Sequence, residues 1–148
     1  MTSRTFGPYA ATVVAIHDGD TIDLSLVLVK MRSTVAARAK ALDVDLGFNV
    51  HRTPDGVVLE RQSVRLLGCN APELATPAGK AALAYIETLV KIGDLVTLVS
   101  HGWDKYGGRI DGVVTLTDGR DLAQAMVAAG QAAAWDGSGA KPVPPPAP

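Results

Sequence analysis

"AIHDGDTIDL", residues 15–24, puts two carboxylates at a reversal of the chain. An apolar run from Thr12 to Ile16 leads into His17-Asp18-Gly19-Asp20-Thr21, and Ile22 and Leu24 resume it. Asp-Gly between two apolar runs predicts a β-hairpin, because Gly accepts positive φ at the turn. Asp18 and Gly19 are enough for that turn. Asp20 is then a second carboxylate where the next strand begins, and it reads either as turn chemistry or as a ligand for a cation.

Strands are predicted on both sides, over residues 9–16 and 21–29, from β-branched and alternating apolar residues. Residues 32–42 are Ala-rich and predict a short helix capped by Ser33 or Thr34. "DVDLGFNVH", 43–51, alternates Val44, Leu46, Phe48 and Val50 and predicts a strand. Pro54-Asp55-Gly56 supplies a turn, and Val57 to Leu67 the next strand. Residues 76–94 predict a helix, with Thr76 as cap, Pro77 in the first position and Gly93 as stop. Two further strands, 96–99 and 110–116, precede a helix that Asp121 caps and Gly130 ends. Strands, helix, strands and helix in this order predict an α+β domain, a five-stranded Greek-key barrel of OB type with two or three helices. The domain is expected over residues 1–136, with 30–56 a long insertion between early strands and 137–148 a Pro-rich disordered tail.

The bulk numbers narrow the function. The 148 residues suit one domain, and a formal net charge of −1 gives no global basic field for a polyanion or an anionic membrane. Polyanion binding must then rest on a local cluster of Arg and Lys. The single cysteine, Cys69, excludes an internal disulfide and a Cys-based zinc site, and reads as a small buried side chain. No run of about 18 apolar residues is present, so no membrane span is expected. Without a signal peptide near the N-terminus, the expected location is cytoplasmic and the expected state a monomer.

Three polar clusters sit at strand ends. They are the Asp18–Thr21 turn, "VRLLGCNAPE" at 64–73 and "DKYGGR" at 104–109. Together they could serve phosphodiester hydrolysis. A hard cation takes oxygen ligands such as Asp20, Asn70 and a backbone carbonyl. A carboxylate such as Glu73 can polarise water. Two guanidiniums, Arg65 and Arg109, can neutralise the phosphate with paired hydrogen bonds.

"DGDTI", "VRLLGCNAPE", the "AGKAA" helix, "DKYGGR" and "DGRDLAQAMVAAGQA" occur in the order of the staphylococcal nuclease (thermonuclease) family, and this chain resembles that family over most of residues 10–135. The resemblance implies an OB-fold barrel and calcium-dependent cleavage of DNA and RNA. It implies that Asp20 binds calcium, with Asn70 and the Ala71 carbonyl as further ligands. It implies that Arg65 contacts the phosphate, that Glu73 interacts with the attacking water, and that Tyr106, with Lys105 beside it, belongs to the nucleotide-binding surface.

Three departures matter. Asn70 stands where the family carries a second calcium-binding Asp, so the site loses a negative charge. "YGGR" replaces "YGR", which puts Arg109 one place late; a bulge at Gly107-Gly108 would restore its direction. The link between the hairpin and "VRLLG" is longer than the family's minimal form. The alternative reading is a non-catalytic module of the same fold that binds nucleic acid or protein. A third, a structural oligomerisation domain, rests on the Ala-rich insertion alone. His17 reads as a surface residue or a neighbour of the ligands, and Trp103 and Trp135 as packing residues.

Overall fold

The computed structural model describes residues 4–30, 44–45, 49–53 and 56–144. The helix expected over 32–42 lies outside them. Nine strands are described: β1 Phe6–Asp18, β2 Thr21–Lys30, β3 Val44–Asp45, β4 Val50–Thr53, β5 Gly56–Leu66, β6 Gly68–Asn70, β7 Leu95–Trp103, β8 Arg109–Thr115 and β9 Ala133–Trp135. The two helices are α1, Pro77–Leu89, and α2, Leu122–Ala128.

Five strands close a mixed barrel in the order β1, β2, β5, β8 and β7, with β7 returning to β1. All of these pairings are antiparallel except β5 with β8. This is the OB-type α+β barrel that the order of elements predicts. Its interior is apolar, with Val13, Ile22, Leu24, Val64, Leu66, Leu98 and Val114 at or near zero exposure. Ile86 of α1 and Leu122 and Met126 of α2 are buried in the same cluster.

The reversal at residues 18–21 differs from the predicted one. Asp18 pairs with Thr21, so Gly19 and Asp20 form the two-residue loop. Gly19 has no positive φ, and its role is space. A Cβ there would stand 2.8 Å from both Ala71 Cβ and Ala82 Cβ. The hairpin tip is therefore pressed against the turn after β6 and against α1. Gly19→Ala is expected to lower stability by about 1–3 kcal/mol through overpacking; equilibrium denaturation measures it, and an unchanged midpoint would mean the tip can move.

The single strand expected over 43–51 is instead two strands. Val44 pairs with Arg52 and Asp45 with His51, and Asn49 takes a left-handed φ of 62°. Asn tolerates that region better than other side chains, so it sits at the bend. Helix α1 starts as predicted, with Thr76 Oγ1 accepting from Gly79 N at 3.0 Å. It stops at Leu89 rather than Gly93. Gly93 N donates to Val13 O, and Asp94 O accepts from Val13 N. The backbone of 93–94 is committed to β1 and cannot continue the helix.

β6 and β9 were not expected. They pair antiparallel, with Gly68 opposite Trp135 and Asn70 opposite Ala133. This small second sheet ties the end of the chain to the segment that follows β5.

Candidate nucleic-acid site

The parallel contact between β5 and β8 sets the site. Ser63 pairs with Arg109, Val64 with Ile110 and Arg65 with Asp111. Val64 and Ile110 point into the core. Side chains alternate along a strand, so Arg65, Arg109 and Asp111 share the opposite face. There they line one cleft of about 380 Å³, together with Asp104, Lys105, Tyr106, Trp135 and Lys141.

Arg65 is held on several sides. Its Nη2 donates to Asn70 Oδ1 at 3.3 Å and lies 3.7 Å from Asp20 Oδ2. Its guanidinium carbon sits 5.1 Å from the centroid of the Trp135 ring. Such contacts fix a head group that would be costly to leave unpartnered at 11% side-chain exposure.

Arg109 reaches the cleft by a route the sequence did not indicate. Gly107 and Gly108 take φ of 74° and 82° and belong to the loop before β8. The register shift falls on β7, where Ser100 pairs with Gly112 but Trp103 with Ile110. Gly102, at φ 97°, occupies that extra place. Asp104 then anchors the loop: its N donates to Arg109 O at 2.8 Å, and its Oδ2 accepts from Arg109 Nε at 2.8 Å. Lys105 and Tyr106 stand at the rim, the ammonium 5.0 Å from the ring centroid and the ring 78% exposed.

Asp20 is buried. Its Oδ2 accepts from Ala71 N at 2.9 Å and its Oδ1 from Thr21 Oγ1 at 3.1 Å. Asp18 Oδ1 accepts from Asp20 N at 3.0 Å. Burial, and then the Asp20 charge, raise the Asp18 carboxyl above its ordinary value. Asp111 is raised likewise, by burial and by Asp104.

The donors suit a hard cation in kind, because Asp20 and Asn70 offer oxygens at adjoining positions. They fall short in number. Among the described residues no three His, Cys, Asp or Glu side chains gather as a metal site. The Asn70 oxygen already faces Arg65, and its Nδ2 donates to Pro142 O at 3.2 Å. Ala71 meets Asp20 through its N–H.

Glu73 does not line the cleft. It lies exposed in the turn between β6 and α1, where its carbonyl accepts from Thr76 N at 2.9 Å and Thr76 Oγ1 at 2.7 Å. A Cβ on Gly79 would collide with that carbonyl, so the glycine lets α1 approach the turn closely.

The remaining residues fall as follows. His17 Nε2 lies 2.8 Å from Asp23 Oδ1, beside the hairpin rather than in the cleft. Cys69 is buried as expected, and burial pushes its thiol up to about 12, which keeps it protonated. Trp103 is not a packing residue, at 63% exposure. Trp135 is half-buried and forms part of the cleft wall. Residues 137–142, expected as part of a tail, run beside the cleft: Gly137, Gly139 and Lys141 line it. Nothing in the local sequence signals Trp135 or Lys141 as cleft residues, since long-range contacts bring them there, the β6–β9 pairing for Trp135 and the Asn70–Pro142 hydrogen bond for the Lys141 segment.

The barrel, the two strand-borne arginines and the basic cleft define a domain of the nuclease-like OB class. The family described as "Staphylococcal nuclease homologue" matches residues 63–141, and the chain belongs to that family. Comparison with curated proteins returns no match. Among the described residues no helix is long and apolar enough to cross a membrane.

Proposed function

We propose that the protein is a nuclease that hydrolyses phosphodiester bonds in DNA or RNA. The observation that carries this reading is the pair Arg65 and Arg109, delivered by adjacent parallel strands to one face of one cleft. Four cations line that cleft against two carboxylates, in a chain whose net charge is −1. A local cluster of this kind is what a nearly neutral protein needs to bind a polyanion.

The two guanidiniums bind the non-bridging oxygens of the phosphate and stabilise the charge that grows there in the transition state. Lys105 and Tyr106 hold the neighbouring nucleotide. Glu73, on a turn fixed by Thr76, takes the proton of the attacking water. Asp20 and Asn70, with the Ala71 carbonyl, would hold calcium, which when bound would polarise the phosphoryl oxygen. With one carboxylate among these ligands the affinity is low. Asn70→Asp is expected to tighten calcium binding by adding a charged oxygen. Calorimetry on both proteins measures it, and equal affinity would remove position 70 from the ligand set.

A second reading, a non-catalytic nucleic-acid-binding module, is favoured by the engagement of Arg65 with Asn70, Asp20 and Trp135. One assay separates the two. Purified protein is incubated with single-stranded DNA, with calcium or with chelator. Cleavage that needs calcium supports the nuclease. Binding without cleavage in either condition supports the module.

A further inference from the structure

Among the described residues, two of the four cations that line the cleft have carboxylate partners and two do not. Arg65 lies near Asp20, and Arg109 is bonded to Asp104. Among the described residues neither Lys105 nor Lys141 has a carboxylate oxygen within 4.0 Å. Lys105 comes from the loop before β8. Lys141 comes from the segment after β9, and four hydrogen bonds hold that segment in place. Trp135 Nε1 donates to Ser138 O at 2.8 Å, which closes a turn directly after β9. Asp136 Oδ1 accepts from Ser138 N at 2.9 Å and from Ser138 Oγ at 2.8 Å, which tightens it. Asn70 Nδ2 then donates to Pro142 O, the residue after Lys141.

The result is an ordered arrangement of charge. The Lys141 ammonium lies 5.9 Å from the Trp135 ring centroid, and the Arg65 guanidinium lies 5.1 Å from the same centroid. Two cations on one indole repel each other, and an anion in the cleft relieves that repulsion. The Asn70 side chain sits between the two cations in the network. Its oxygen takes the Arg65 N–H and its amide N–H holds the Lys141 segment. A carboxylate at position 70 could do the first and not the second, since it has no proton to donate.

We propose that Lys141 is a further phosphate-binding cation of the cleft, and that Asn70 is the positioning residue that holds it there. The substrate it serves is the backbone of a single-stranded nucleic acid, at the phosphate next to the one gripped by Arg65. This rests on the nucleic-acid reading given above.

The test is fluorescence anisotropy of a labelled oligothymidylate across a range of salt, with chelator present so that no strand is cut and no metal intervenes. Each phosphate contact to a single strand contributes about 0.7 to the log–log salt slope. Lys141→Ala is expected to make the slope shallower by about 0.7, and to weaken binding about fivefold near 0.1 M monovalent salt. Lys141→Arg should keep the native slope. In an Asn70→Ala background, Lys141→Ala should cost less than half as much as in the native chain. Arg65→Ala serves as the control for the site. If the native protein binds no oligonucleotide at any salt, the functional reading and this inference both fall. If Arg65→Ala weakens binding but Lys141→Ala leaves affinity and slope unchanged, only the inference falls. Tighter binding by Lys141→Ala would also overturn it, because residues 137–142 would then obstruct the cleft. A full Lys141 effect in the Asn70→Ala background would overturn the positioning role.

Discussion

Glu73→Gln is expected to slow phosphodiester cleavage ~10²–10⁴-fold, the usual contribution of a general base, and to leave the melting temperature unchanged. The second half follows from where the residue sits, and the first from the base role proposed for it. Its carboxylate is exposed and, among the described residues, has no cation within 4.0 Å, so folding gains little from its charge. Its backbone is held by Thr76 through the carbonyl, which Gln keeps. The amide has the same shape and cannot accept a proton from water. Undiminished cleavage by the Gln variant would take the role of base from Glu73 and point to Asp111, a cleft carboxylate that, among the described residues, has no cation within 4.0 Å.

Arg65→Lys is expected to lower kcat ~10²–10³-fold, comparable to the loss of one preorganised donor to a transition-state oxyanion, with KM changed far less. Lysine keeps the positive charge near Asp20, so ground-state attraction to the strand survives. It loses the planar fork that can bind two phosphate oxygens while facing Asn70 and the Trp135 ring. Arg65→Ala is the less informative change, because it also leaves the buried Asp20 carboxylate without its nearest cation. Steady-state kinetics with a chromogenic or fluorescent oligonucleotide decides the matter. A variant that loses KM and keeps kcat would make Arg65 a binding residue only.

The barrel was legible because its strands carry the period-two pattern on both sides of strong turn residues. Asp18-Gly19 and the Thr76-Pro77 start of α1 both mark real boundaries. The reasons were less legible than the places. Gly19 looks like a residue of positive φ and is a residue of close approach, with Ala71 and Ala82 filling the space a Cβ would need. Arg109 lines the same cleft as Arg65, but the register shift beside it lies at Gly102 on the neighbouring strand rather than at Gly107-Gly108. A bulge can be placed on either member of a pair, and one strand's sequence does not say which. Asn70 is visible in the sequence as a missing charge. Its two hydrogen bonds, to Arg65 and to Pro142, depend on segments 5 and 72 residues away. Trp135 escaped for the same reason. A three-residue strand of Ala-Ala-Trp has too short a pattern to be read, and its partner lies at residues 68–70.

The pairing of β6 with β9 also makes the cleft separable from the barrel. The five barrel strands are complete by Thr115, and both cleft arginines lie on them. The indole beside Arg65 and the Lys141 segment come from residues beyond those strands, tied back through Gly68–Asn70. None of the barrel pairings involves β6 or β9. One wall of the cleft can therefore be altered, residue by residue, without touching a strand that closes the barrel.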